Sequence, residues 1–199
     1  MSEPASELAP SLRRSMVCLP RALLLGALLL GGCDRQKAAE PQAEPVAVPA
    51  PAGKVDTSHE GDEMPAMPFL GPDGGPATLT GFRGKPVLVN LWATWCVPCV
   101  AEMPQLDRVA AAHAGKLTLI AVSQDLEGKR AVDPFFARGR FTTLKPYLDK
   151  QNVLPLALKV EGLPATVLYD AKGREVWRVL GAFDWEGAEA KRILEAAAG

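Results

Sequence analysis

Two cysteines, Cys96 and Cys99 in the segment Trp95-Cys96-Val97-Pro98-Cys99, have the clearest capacity for chemistry in this 199-residue chain. A Cys-x-x-Cys pair suits half of a zinc site, a structural staple, or reversible exchange between dithiol and disulfide. Haem attachment needs His after the second cysteine, and position 100 is Val. The only other zinc-ligand candidates of the usual type for the mature domain are His59, in the linker, and His113, at a helix end. Three residues beyond Cys99 stands Glu102. A carboxylate there either favours the thiol form of its neighbours by like-charge repulsion and moves protons, or is an ordinary solvated helix residue.

The flanking elements decide among these chemistries. Residues 86–92 are apolar except for Asn90 and are bounded by Gly and Pro signals. Such a run predicts a strand buried on both faces. From Cys96 to about Ala114, Val100, Met103, Leu106, Val109 and Ala110 recur at spacings of three and four. That is the pattern of a helix with one buried face, which Pro104 should kink. Cys96 then falls at a helix N-terminus, where unpaired N–H groups and the dipole favour a thiolate. Cys99 lies one turn on. Redox exchange is the expected chemistry, with Cys96 the nucleophile and Cys99 the resolver. Pro98 lacks an N–H but is tolerated in the first helical turn.

Residues 117–122 predict a second buried strand, completing a βαβ unit with a parallel pair. Before it, two short apolar stretches around Pro72-Asp73-Gly74-Gly75 predict a hairpin over 67–79, then a short turn or helix to Gly84. After it come a helix over 131–138 with Phe135 and Phe136 inward, a short strand over 143–148 and a short helix over 153–158. A strand over 165–169, a turn and an antiparallel strand over 175–180 follow. A closing helix over 185–198 is expected, with Asp184 as its N-cap.

Lys and Arg number 22 against 23 Asp and Glu, so nucleic acid is not an expected partner. The 48% apolar content excludes global disorder. Residues 1–32 read as a signal peptide: Arg13, Arg14 and Arg21 precede an uncharged run of Ala, Leu and Gly over 22–32. That run is shorter than the roughly 20 apolar residues of a membrane span. Translation from Met16 would leave Arg21 as a compact basic region, and Cys18 is discarded with the signal on either start. Residues 33–59 read as a Pro/Ala-rich linker, with Pro41, Pro45, Pro49 and Pro51, and a reach of roughly 30 Å. Residues 60–199 are left as one domain.

Trp92-Ala-Thr-Trp-Cys-Val-Pro-Cys99, then Glu102-Met-Pro104, and Gly162-Leu-Pro-Ala-Thr166 resemble the thioredoxin superfamily. Within it, the match is to redoxin-like, membrane-tethered thiol–disulfide oxidoreductases of the TlpA/ResA/CcmG type, over roughly residues 64–199. The resemblance implies a thioredoxin-like α/β fold: a central mixed sheet flanked by helices, with an N-terminal β-hairpin extension. It implies that Pro164 is a cis proline facing the cysteine pair and that Leu163 offers a backbone edge. Trp95, Pro98, Leu163 and Pro164 would then contact the client. It also implies a monomeric protein-disulfide reductase with no metal or bound cofactor. Its clients would be apocytochrome c or copper-centre assembly proteins, and its electrons would come from a transporter of the CcdA or DsbD kind. Leu30-Gly31-Gly32-Cys33 resembles a bacterial lipoprotein signal, with Cys33 lipidated and Asp34 next to it. Periplasmic location on the inner membrane follows, or a soluble periplasmic form without lipid. General thioredoxins have Asp where this chain has Asn90, which cannot ionise. The peroxidase pattern Pro-x-x-x-Thr-x-x-Cys is missing from the chain, and the copper-chaperone branch has a different cysteine spacing. The alternatives are a disulfide oxidase or isomerase and, from another class, a thiol-based copper(I)-binding or client-holding module.

Overall fold

A computed structural model describes residues 53–198. Cys33 and the expected signal segment lie outside the described residues. The described strands form one eight-stranded mixed sheet in the order β1-β8-β7-β4-β5-β6-β2-β3. They are β1 (Lys54–Asp56), β2 (Pro68–Leu70), β3 (Pro76–Thr78), β4 (Val87–Trp92), β5 (Thr118–Ser123), β6 (Tyr147–Leu148), β7 (Ala165–Tyr169) and β8 (Glu175–Leu180). The helices are α1 (Val97–Ala112), α2 (Lys129–Gly139), α3 (Val153–Ala157) and α4 (Ala188–Ala198). A 3-10 turn covers Leu79–Phe82.

The centre follows directly from the apolar runs. All six residues of β4 are buried, and it pairs in parallel with β5 and antiparallel with β7. Strand alternation sends Leu88 and Trp92 into one core and Val87, Val89 and Leu91 into the other. Met103, Leu106, Ile193 and Leu194 close the first core, whereas Leu79, Leu154 and Leu158 close the second. Both sheet faces are therefore covered, which is why β4 reads as continuously apolar. Asn90 is the exception; its Nδ2 donates to Thr166 Oγ1 at 3.0 Å across the β4–β7 pair. In α2, Val132 is buried, and Phe135 and Phe136 stack around Trp92 and Phe141.

The hairpin of β2 and β3 forms at the expected place, on the sheet edge beyond β6. Three expectations are corrected. The fold begins before residue 60, because Lys54–Asp56 pairs with Leu180–Arg178. A three-residue strand carries no readable period, and its partner is distant in sequence. The expected strand over 143–148 shrinks to Tyr147–Leu148, since Asp107 takes the Thr142, Thr143 and Leu144 N–H groups. Asp184 does not cap the last helix. Its Oδ1 accepts from the Glu186 N–H at 3.2 Å inside a turn, and α4 starts at Ala188.

Candidate active site

The site begins where β4 ends. Trp92 is buried and accepts the Gln124 N–H on its carbonyl at 2.8 Å. The chain then turns over Ala93-Thr94-Trp95 into α1. Asp125, at the end of β5, holds that turn. Its carboxylate accepts from the Thr94 N–H at 2.9 Å, the Thr94 hydroxyl at 2.6 Å and the Ser123 hydroxyl at 2.7 Å. The sequence does not single this residue out. Ser123-Gln-Asp125 looks like any polar turn until β4 and β5 lie side by side.

Cys96 caps α1, and Val97 and Pro98 open the helix. Cys96 and Cys99 form a disulfide with a Cα–Cα distance of 5.3 Å. The Cys99 N–H points at Cys96 Sγ at 3.4 Å, as expected for a sulfur at the positive end of a helix. Cys96 is 6% exposed and Cys99 1%, so an incoming partner meets Cys96 first. Beside them Trp95 stands 67% exposed and Val97 projects into solvent. Pro98 is half-buried.

The Leu163–Pro164 peptide bond is cis and leads straight into β7. The Pro164 carbonyl accepts from the Gly181 N–H at 2.8 Å. Leu163 packs against the core cluster that contains both cysteines. Its own backbone makes no hydrogen bond to another backbone group among the described residues. Trp95 and Leu163 line one open cavity of about 380 Å³ with Gln124, Asn152, Pro155 and Gly162. The turn before α1 and the loop before β7 thus share one cavity, whose Trp95 is next to Cys96 in sequence.

Glu102 is buried one turn past Cys99, with its Oε1 accepting the Phe183 N–H. Burial pushes its pKa up to about 7, opposed by that N–H. The Trp185 indole N–H also acts to lower it, but from a position that makes no hydrogen bond of normal geometry. A carboxyl with this proton affinity exchanges protons at neutral pH. Of the two expected zinc partners, His59 faces Asp62 at 3.1 Å, and His113 ends α1. Among the described residues, no three His, Cys, Asp or Glu side chains stand together as a metal site.

A redox-active disulfide at a helix N-terminus, in a mixed sheet that carries a cis proline at the start of β7, defines a thiol–disulfide oxidoreductase of the thioredoxin-like fold. The Redoxin family model matches residues 59–196, and the chain belongs to that family. Among its relatives is the thiol:disulfide interchange protein DsbE of Pseudomonas fluorescens biotype C. That protein is 31% identical over 174 residues, covering 87% of this chain and 88% of the relative. The thiol-disulfide oxidoreductase ResA of Geobacillus kaustophilus is 32% identical over 111 residues. This chain spans 63% of its length, and the match covers 56% of this chain. The crystal structure of a putative DsbE from Chlorobium tepidum has the same fold, with a TM-score of 0.64 and 24% identity. It covers 70% of this chain and 98% of that one.

Proposed function

We propose that this protein reduces disulfides of client proteins outside the cytoplasm, with Cys96 as nucleophile. The observation that carries the reading is the Cys96–Cys99 disulfide, with only Cys96 open to an incoming sulfur. The Cys96 thiolate attacks one client sulfur, forming a mixed disulfide and releasing a client thiolate that takes up a proton. Cys99 then attacks Cys96, and the second client thiolate leaves and is protonated. The client gains two electrons and two protons, and the pair ends as a disulfide. No bound cofactor takes part.

Glu102, at i+3 from Cys99, accepts the Cys99 proton as that thiol attacks. Trp95, Pro98, Leu163 and Pro164 form the client contact, with the Leu163 backbone pairing with an extended client segment. Apocytochrome c or copper-centre assembly proteins are the proposed clients. A membrane thiol transporter of the CcdA or DsbD kind would return the electrons by the same exchange. Residues 1–32 direct export, Cys33 carries lipid at the inner membrane, and the linker holds a monomeric domain on the periplasmic side. Among the described residues, no helix is long and apolar enough to cross a membrane.

The test is the reduction potential of the pair. A value near −270 mV, about that of thioredoxin, supports a reductant, whereas one near −120 mV makes the protein an oxidant. Cys99→Ser should accumulate a mixed disulfide through Cys96, and Cys96→Ser should lose it. Mass spectrometry of the mature N-terminus tests Cys33; an unmodified thiol there ends the lipoprotein reading.

A further inference from the structure

Gly181, Ala182 and Phe183 lie between β8 and the turn before α4, and each is tied through its backbone. The Gly181 N–H donates to the Pro164 carbonyl at 2.8 Å. The Ala182 carbonyl accepts from the Gly53 N–H at 2.7 Å. The Phe183 N–H donates to Glu102 Oε1. The last two contacts belong to one peptide group, because the Ala182 carbonyl and the Phe183 N–H are the polar ends of a single planar unit. Holding one end sets the direction of the other. An accepting carbonyl also polarises its own N–H into a stronger donor.

Gly53 suits this contact by its lack of a side chain. A Cβ there would lie 2.7 Å from Val179 Cγ1, 2.8 Å from the Ala182 oxygen and 2.9 Å from the Gly181 oxygen. Two of those atoms are backbone, so any larger residue must displace the peptide. Gly53 immediately precedes β1, whose three residues pair along β8.

We infer that Gly53, where the N-terminal strand joins the sheet, is a positioning residue for Glu102. It holds the Ala182–Phe183 peptide so that its N–H stays on the carboxylate. The N-terminal segment thereby reaches the redox site through two hydrogen bonds. The inference deepens the proposed function by naming what orients Glu102, and it gives that function a route of control from the N-terminal side. Drawing β1 away from β8 weakens the donor and favours the protonated carboxyl.

The neighbouring ionisable groups leave this backbone contact as the main influence that opposes burial. On α1 they are Asp107, which is held by the 142–144 backbone, and Arg108, which is paired with Glu186; Cys99 is locked in the disulfide. On the segment that packs against it they are Asp184 and Glu186. β5, on which α1 packs, carries none. None of these charges contributes appreciably to Glu102.

The test is a carbon-13 NMR titration of the Glu102 carboxyl in the full-length oxidised protein. Gly53→Val should raise its midpoint by about half a pH unit or more, because a hydrogen bond to the charged form is weakened. In the wild type, the Phe183 and Gly53 amide resonances should both follow the same titration. An unmoved midpoint in folded Gly53→Val overturns the inference. So does a Gly53 amide that stays flat across the Glu102 transition, a result that needs no variant. Cys96 alkylation against pH in Glu102→Gln tests the separate reading that Glu102 serves the thiols; it can fail while the NMR linkage holds, and the reverse.

Discussion

Glu102 is a carboxyl sealed against the protein interior with one backbone donor. The pattern Cys-x-x-Cys-x-x-Glu marks it in the sequence, but its environment comes from Phe183 and Trp185, some eighty residues away. Its pKa, raised from 4.5 to about 7, makes a stability prediction. Below pH 4.5 both folded and unfolded chains hold the proton, and the contribution is complete. Between 4.5 and 7 the unfolded chain releases it first, so stability falls as pH rises through that window. Glu102→Gln abolishes this dependence. Relative to wild type it should gain on the order of 1–3 kcal/mol between pH 4 and pH 8. Urea unfolding of the oxidised proteins at both pH values reads it; equal differences at the two values would falsify the buried titration. The same variant should also change the pH profile of Cys96 alkylation near neutrality.

At the scale of elements, two buried aspartates hold loops that no hydrophobic period describes. Asp125 clamps the turn between β4 and α1 through Thr94 and Ser123. Asp125→Ala leaves the Thr94 N–H without that partner and should cost about 1–3 kcal/mol. It should also slow disulfide exchange, because the turn that presents Cys96 is loosened; an unchanged exchange rate would separate the clamp from the chemistry. Asp107, on α1, accepts the N–H groups of Thr142, Thr143 and Leu144 and the Thr142 hydroxyl. Burial works to raise its pKa, but the three backbone donors outweigh it and hold the carboxyl below the ordinary aspartate range. Its stabilisation is present above that range and is lost as pH falls through the lowered value. Asp107→Ala should lose about 3 kcal/mol at neutral pH and less in acid, read by denaturant midpoints across that range.

Across the whole molecule, Arg178 ties the sheet to the second core. Its guanidinium meets Glu175 at 2.6 and 2.7 Å and donates to the Leu158 carbonyl at 2.8 Å beyond α3. The side chains are 3% and 1% exposed. Arg178→Met strands a buried carboxylate and should cost about 3–5 kcal/mol. Arg178→Met with Glu175→Leu should recover part of that loss, because both charges leave together. If the double variant unfolds at the same midpoint as the single, the stranded charge is not the cause. The hairpin, the βαβ centre and the final antiparallel pair were legible because each rests on a local apolar run with Gly or Pro at its ends. β1 was not legible, since three residues beside a Pro-rich stretch gain strand character only from β8. The true start of α4 was hidden too, as Asp184 followed by Trp185 reads like a cap until the turn is seen.

The sequence by itself determined the reactive pair, its place at a strand-to-helix junction and the buried centre of the sheet. Residue type and short-range period suffice for those, because helix dipoles and strand alternation are local. Tertiary structure alone decided that Leu163 and Trp95 share a cavity and that Asp125 holds the turn presenting Cys96. It also decided that one peptide group joins Gly53 to Glu102. Each depends on segments far apart in the chain meeting at hydrogen-bond distance, and no local pattern records such a meeting.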